Sequence, residues 1–155
     1  MIKKINFEIN ESTPVRCDDI SSDIKCINSI YLDNFDPSLK NTISSTMCRI
    51  KKKHSSYRQQ DIKQNRLEKQ KFISVDGIVE KLVESKLKCF YCKNNTHITY
   101  NTLQQNQWTL DRINNNYGHN TDNVVISCLQ CNIKRRRKKM NIFKKQQINN
   151  IIKIT

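Results

Sequence analysis

Hydrophobic and polar positions divide the chain into three parts. Residues 1–45 show little periodicity, apart from an alternation at residues 5–9 that is compatible with a short strand, and we interpret them as an N-terminal extension of unknown role. Residues 46–73 are polar and basic, with too few apolar positions for a buried helix, and we interpret them as a basic linker or a solvated helix. Residues 74–155 carry the clearer patterns and form the predicted domain.

The predicted domain begins with an amphipathic helix at residues 74–87. Apolar side chains recur there at three- and four-residue spacing, which places them on one face of a helix. Ser74 or Asp76 can cap its first turn. We expect this helix to pack against the region that follows and to lead the chain into Cys89, a structural role without chemistry of its own.

Two strands and two further helices are predicted in the rest of the domain. Residues 108–113 alternate as a strand does, and residues 124–127 predict a second short strand. The polar loop between them contains Gly118, which we expect at a positive φ. A helix is predicted to start at Leu129 and to run through a basic block, and apolar positions in residues 142–152 predict a closing helix.

Composition adds a small core and a strongly basic surface to this picture. Hydrophobic residues make up 36% of the chain and the mean hydropathy is −0.74, so a metal or a disulfide is needed to support the core. The formal net charge is +14, and the excess lies beyond residue 38 because the first 38 residues are net acidic. Nucleic acid is the expected polyanionic partner rather than a membrane, since no apolar stretch approaches the roughly 20 residues of a membrane span.

The cysteine pattern predicts a structural zinc site. Seven cysteines without a visible secretory signal disfavour a disulfide framework. Each Cys-x2-Cys pair forms a tight turn that directs two thiolates to one point, and two such turns supply the tetrahedral four-sulfur site that structural Zn²⁺ takes. The two pairs are Cys89 with Cys92 and Cys128 with Cys131. The remaining cysteines, expected to be reduced and unpaired, are Cys17, Cys26 and Cys48.

The run WTLDRINNNYGHNTDNVVISCLQCNIKRRRKK resembles the HNH (ββα-metal) endonuclease family, particularly its zinc-knuckle members in phages and large DNA viruses. The resemblance covers residues 89–139, about a third of the chain. It implies an α+β fold, a small ββα-metal, treble-clef-like domain stapled by zinc and flanked by helices. It also implies that Asp111 and Asn132 hold a catalytic Mg²⁺ or Mn²⁺ through oxygen atoms, and that Asn123 braces the loop.

The sequence departs from the family pattern at Arg112, where the family has a histidine that activates water. Arginine cannot act as a general base because its pKa lies far above neutral pH. Three hypotheses stay open. Arg112 clamps the phosphate while His119 acts as the base, or metal-bound or phosphate-assisted water suffices, or catalysis is lost and binding is retained. His54 is interpreted as a surface residue. His97 is interpreted in the same way, with bracing of the first cysteine pair or a contact with DNA as alternatives.

A block of six basic residues follows Asn132. On a helix leaving the metal site, these side chains would contact the phosphates that flank the cut and would position the protein without reading base sequence. A nuclear localisation signal is an alternative role, and the two roles are compatible. The residues are Lys134, Arg135, Arg136, Arg137, Lys138 and Lys139.

The first hypothesis from these patterns is a metal-dependent endonuclease that nicks or cuts duplex DNA. A non-catalytic zinc-knuckle nucleic-acid-binding protein is the alternative, since it needs the cysteines and the basic surface but not Asp111 or Asn132. A protein-interaction module of the treble-clef kind is the third. RNA stays open as a partner, as does a homodimer. We expect an intracellular, non-secreted protein, and the viral resemblance is compatible with action in a host cytoplasm or nucleus.

Overall fold

A computed structural model describes residues 19–154 of the chain, and the strand expected at residues 5–9 therefore lies outside the described residues. The predicted α+β class is confirmed. The described part contains five helices, one short 3-10 turn at Pro37–Leu39 and one two-stranded antiparallel sheet. In chain order the elements are α1 (Ile20–Tyr31), α2 (Lys40–Lys63), α3 (Val75–Glu84), β1 (Trp108–Arg112), β2 (Val124–Cys128), α4 (Leu129–Arg135) and α5 (Met140–Ile154).

Helix α1 belongs to the main core, although its residues were interpreted as part of a separate extension. Asp19 caps the helix by accepting a hydrogen bond from the Ser21 amide at 3.0 Å. Cys26 and Ile27 are fully buried and pack in the same cluster as the apolar face of α3. The core therefore extends across the boundary near residue 45, which itself falls inside α2.

Helix α2 is long and basic but is not merely solvated. Its buried positions are Thr46, Ile50 and Asp61, of which Ile50 joins the main core. The interpretation of residues 46–73 as a linker or a solvated helix is therefore corrected in one respect: one face of α2 is built into the fold. Several positions of that face carry polar side chains, so the pattern of apolar residues does not reveal it.

Helix α3 matches the predicted amphipathic helix, with Ser74 as the cap. The Ser74 hydroxyl accepts a hydrogen bond from the Gly77 amide at 3.0 Å, so Asp76 is not needed for this role. The helix ends at Glu84, three residues before the predicted end, and the chain then turns through two residues with positive φ, Lys86 and Leu87. Its buried residues pack against the sheet.

The hairpin of β1 and β2 confirms both predicted strands. Leu110 pairs with Ile126 in an antiparallel register, and these two side chains enter the main core with Trp108 and Val124. Because neighbouring residues of a strand face opposite sides, Thr109 and Asp111 lie on the other face, where α4 crosses. The hairpin thus separates an apolar core from a polar layer.

The prediction of one helix through the basic block is wrong. Helix α4 ends at Arg135, and Arg136 has a positive φ of 51°. The chain changes direction there before α5 begins at Met140. Phe143 of α5 is buried in a second, smaller cluster around the cysteine pairs, where its ring meets that of Tyr91 edge to face at 5.0 Å. None of the described helices has the length and apolar character that crossing a membrane requires.

The prediction of a positive φ at Gly118 is also wrong, because neither glycine has one. Gly118 is required for space: a Cβ atom there would lie 2.6 Å from the Arg66 carbonyl oxygen and 2.7 Å from Asp61 Oδ2. The loop between the strands is therefore in close contact with the end of α2.

We expect Gly118→Ala to lower the free energy of unfolding by about 1–3 kcal/mol, because an added methyl group must displace backbone and a buried carboxylate. Gly77→Ala is the matched control. A Cβ there meets only side-chain atoms, at 3.1 Å or more, and alanine favours the helix. Urea unfolding of both variants measures the difference, and an equal effect at the two sites would contradict this account.

Candidate metal centre and active site

The four paired cysteines form a cluster with the dimensions of a zinc site. Their sulfur atoms lie within 4.8 Å of one another, and Cys92 Sγ is 3.9 Å from Cys128 Sγ. A tetrahedron with Zn–S bonds of about 2.3 Å has edges of about 3.8 Å, so the sulfur atoms can enclose Zn²⁺ with little movement. The predicted convergence of the two cysteine turns is confirmed.

Local structure positions each pair of cysteines. Cys128 ends β2 and caps α4, and its sulfur accepts a hydrogen bond from the Cys131 amide at 3.4 Å. The first pair lies in a turn in which the Lys93 amide donates to the Cys89 carbonyl at 3.0 Å and Lys93 takes a positive φ. Hydrogen bonds from Cys128 and Cys131 lower the pKa of Cys89, so one thiolate is favoured even before a cation adds its own attraction.

A buried hydrogen-bond network connects this cluster to Asp111. Tyr91 lies between the two cysteines of the first pair, and its hydroxyl donates to Asp111 Oδ2. Arg135 of α4 donates to the same oxygen at 2.7 Å. Burial raises the pKa of Tyr91, so the phenol keeps the proton that it donates. Asp111 is thus held by one group from the first cysteine turn and one from the end of α4.

Arg135 is a structural residue, which corrects its assignment to the nucleic-acid-binding block. Its side chain is 1% exposed. Besides Asp111, it donates to the carbonyl oxygens of Arg112, Ile113 and Lys138. The exposed members of the block are Lys134, Arg136, Arg137, Lys138 and Lys139.

Asp111 and Asn132 border the same cavity. The hydrogen bonds at Asp111 use Oδ2, whereas Asn132 donates through Nδ2 to Thr109 Oγ1 and to the Leu110 carbonyl. Within the described residues, the other carboxylate oxygen and the amide oxygen are therefore the donors that a hard cation would take. Oxygen atoms are the kind of donor that hard cations take, but Arg135 already neutralises part of the charge of Asp111.

Asn123 makes the hydrogen bonds of a residue that braces the loop. Its Oδ1 accepts from the Asn114 amide at 2.9 Å, and its Nδ2 donates to the carbonyl oxygens of Asn114 and Gly118 at 3.0 and 2.9 Å. It lies at the base of the loop rather than in the cavity. Its position supports a structural contribution to the site.

Arg112 is half-buried at the cavity wall. Its guanidinium donates weakly to the carbonyl oxygens of Asn115 and Tyr117, at 3.4 and 3.3 Å. Burial lowers the pKa of Arg112, but a guanidinium remains charged at neutral pH. The side chain therefore presents a fixed positive charge at the cavity wall.

His119 is buried beside the same cavity and is paired with Asp61 of α2. Its Nδ1 lies 2.9 Å from Asp61 Oδ1, its backbone amide donates to Asp61 Oδ2 at 2.6 Å, and its ring lies 4.6 Å from that of Tyr57. Burial lowers the pKa of His119, while the charge of Asp61 opposes that shift. Burial therefore favours the neutral ring, the form that accepts a proton.

The cavity has a volume of about 330 Å³ and joins residues from distant parts of the chain. It is bordered by four of the residues predicted to be catalytic. These are Asp111, Arg112, His119 and Asn132. Helix α2 adds Lys53 and Tyr57, and Arg136 adds a charge from the bend after α4. Sequence reasoning missed the α2 residues because it found no chemical pattern there.

Lys53 is the most unusual of these additions. Its ammonium lies 4.6 Å from the centre of the Trp108 ring and 4.8 Å from that of Tyr100, and it donates to Gln107 Oε1 at 3.0 Å and to the Trp108 carbonyl. Burial, together with the charge of Arg49, lowers the pKa of Lys53 to about 7. Its contacts fix α2 against β1.

The two remaining histidines are structural rather than surface residues. His97 is buried, and its Nδ1 lies 3.1 Å from Asp23 Oδ2, which ties α1 to the segment that follows the first cysteine pair. Half-buried His54 places Nε2 3.0 Å from the Ile73 carbonyl. The free cysteines agree with expectation for Cys26 and Cys48, whereas Cys17 lies outside the described residues.

Comparisons of this chain with protein-family models, with curated proteins and with solved structures give no match. The structure itself shows a cysteine cluster beside a β-hairpin and the helix that follows it, an arrangement consistent with a zinc-binding ββα-type site.

Proposed function

We propose that the protein is a metal-dependent endonuclease of the HNH type that hydrolyses phosphodiester bonds in DNA. The observation that carries the proposal is the cavity beside the hairpin, which joins Asp111, Arg112, His119 and Asn132 although they come from a strand, a loop and a helix. Two oxygen donors, a fixed cation and an imidazole with an unengaged nitrogen are groups that metal-assisted phosphodiester hydrolysis can use.

The chain's own residues divide the reaction between them. His119 takes a proton from the attacking water through Nε2, since Nδ1 is engaged by Asp61. The water oxygen bonds to phosphorus as the bond from phosphorus to the 3′ oxygen breaks, and the departing oxygen takes a proton from solvent. Arg112, at the cavity wall, would attract the negative charge of a bound phosphate. Asp111 and Asn132 would hold Mg²⁺ or Mn²⁺, which supplies charge neutralisation at the phosphate and the departing oxygen.

The surface around the cavity favours a polyanionic substrate. Arg136 reaches the cavity itself, and four further exposed cations lie next to it in sequence on α4 and on the segment between α4 and α5. Helix α2, which forms another wall of the cavity, also carries exposed basic residues outside the cavity; these include Lys51, Lys52, Arg58 and Lys63. Such charges hold phosphates without selecting bases, so we expect binding that weakens steeply with salt.

The test is cleavage of supercoiled plasmid DNA by the zinc-loaded chain with and without Mg²⁺. We expect Mg²⁺-dependent nicking, and a loss of about 10²-fold or more in His119→Asn. Asparagine keeps a nitrogen at the place of Nδ1, which preserves the hydrogen bond to Asp61, but it has no counterpart of Nε2. Plasmid affinity, measured without Mg²⁺, should stay within about twofold of the wild-type value.

The outcome that would contradict the proposal is wild-type protein that binds the plasmid but does not cut it with either Mg²⁺ or Mn²⁺. A non-catalytic nucleic-acid-binding protein is the second candidate, favoured by two observations: Arg112 replaces a base, and Arg135 already pairs with the carboxylate of Asp111. Asp111→Ala is a poor test between the two, because it would leave the Arg135 charge buried without a partner.

A further inference from the structure

We propose that Asp61, which lies outside the segment resembling HNH nucleases, is a positioning residue that holds His119 in the tautomer with its proton on Nδ1. The catalytic part of this inference rests on the proposed function, whereas the hydrogen-bond geometry of Asp61 and His119 does not depend on it. Helix α2 would then belong to the nuclease itself and not only to its scaffold.

The hydrogen bonds define which nitrogen carries the proton. Asp61 presents both oxygens to His119: Oδ2 accepts from the backbone amide and Oδ1 lies 2.9 Å from Nδ1. Both side chains are almost completely buried. A carboxylate has only acceptors, so Nδ1 must supply the proton of the second hydrogen bond. Nε2 is then left with a lone pair, which is the condition for taking a proton from water.

The surroundings fix this pair in one geometry. Asp61 lies in the last turn of α2, where its carbonyl accepts from the Arg66 amide at 2.8 Å. On the loop side, the space that a Cβ of residue 118 would need is occupied by the Asp61 carboxylate. The Tyr57 ring stacks against His119, and its hydroxyl accepts a hydrogen bond from the Leu110 amide at 3.0 Å. The imidazole is thus held by two side chains of α2, one of which is itself hydrogen-bonded to β1.

A buried pair of this kind could simply fasten the loop to α2. The two roles differ in what Asp61→Asn does. Asparagine has one oxygen where aspartate has two, so it can accept at only one of the two positions, and its nitrogen must donate at the other. Its favourable arrangement keeps the backbone hydrogen bond and donates to Nδ1, which moves the imidazole proton to Nε2. If the pair only fastens the loop, this exchange costs little. If His119 is a base, the exchange removes the Nε2 lone pair that accepts the proton.

The experiment reads the tautomer and the activity separately on the full-length, zinc-loaded chain. Nitrogen-15 NMR of the histidine rings should show the His119 proton on Nδ1 in the wild type and on Nε2 in Asp61→Asn. Plasmid nicking with Mg²⁺ should fall in Asp61→Asn by a factor approaching that of His119→Asn, with kcat lowered more than KM changes.

A wild-type spectrum with the His119 proton on Nε2 would overturn the proposal. This measurement does not depend on whether Asp61→Asn folds. Full nicking activity in a folded Asp61→Asn protein whose tautomer has changed would overturn it as well. If the wild type cuts no DNA at all, the proposed function fails instead, while the spectrum still decides the assignment of the proton.

Discussion

Removal of zinc is expected to unfold the domain, not merely to loosen the cysteine turns. The metal site lies between the first turn, the end of β2 and the start of α4, and the side chains around it form a small cluster beside the main core that β2 also enters. Structural zinc contributes about 10 kcal/mol or more to folding in small zinc domains, which exceeds what so small a cluster supplies. Circular dichroism during titration with a chelator measures the loss.

The matched control for this prediction is a cysteine that takes no part in the cluster. Cys131→Ser should give the chelated spectrum even with excess zinc, because one of four ligands is lost. Cys48→Ser should retain the wild-type spectrum, since Cys48 is a free, exposed thiol. Bound zinc should be one per chain by elemental analysis. A chelated protein with an unchanged melting transition would contradict the prediction.

Arg135→Ala is expected to lower the free energy of unfolding by about 3–5 kcal/mol, the largest effect of any single basic residue in its block. The substitution leaves the Asp111 carboxylate buried without its cation. It also removes donors from the carbonyl oxygens of Arg112 and Ile113. An unpaired buried charge costs far more than a lost surface contact.

Arg137→Ala provides the comparison, two residues away on the surface. Its stability should change by about 0.5 kcal/mol or less, while the slope of log affinity for DNA against log salt falls by about one. Urea unfolding and salt-dependent plasmid binding together separate the two residues. If Arg135→Ala weakened DNA binding but left stability unchanged, the structural assignment of Arg135 would be wrong.

The sequence was most informative where chemistry and spacing coincide. The cysteine spacing and the alternation of the two strands predict the metal cluster and the hairpin, because both patterns follow directly from local geometry. The apolar periodicity at residues 74–87 likewise predicts helix α3. These elements carry their own signal and do not depend on distant partners.

Helix α2 was harder to interpret because its inward-facing positions are chemically mixed. Thr46, Ile50, Lys53, Tyr57 and Asp61 follow one another at three- and four-residue spacing, the period of a helix face. Only one of them is aliphatic, so hydropathy does not show the stripe. The signal that could have been found is Asp61 itself, the only acidic residue within Lys40–Lys63.

The basic block shows a different limit. Six consecutive cations are indistinguishable by composition, and only the direction of each side chain decides which one is buried. Arg135 lies on the face of α4 that meets Asp111, and the positive φ of Arg136 ends the helix immediately afterwards. In α1, by contrast, the apolar spacing was present in Ile20, Ile24 and Ile27, and the acidic character of the surrounding segment obscured it.

The position of Trp108 has a practical consequence. It is the only tryptophan in the chain, it is fully buried in β1, and a lysine ammonium lies over its ring. Indole fluorescence depends on solvent contact and on nearby charge. The emission spectrum of the unlabelled protein therefore reports whether the hairpin and α2 are packed against each other.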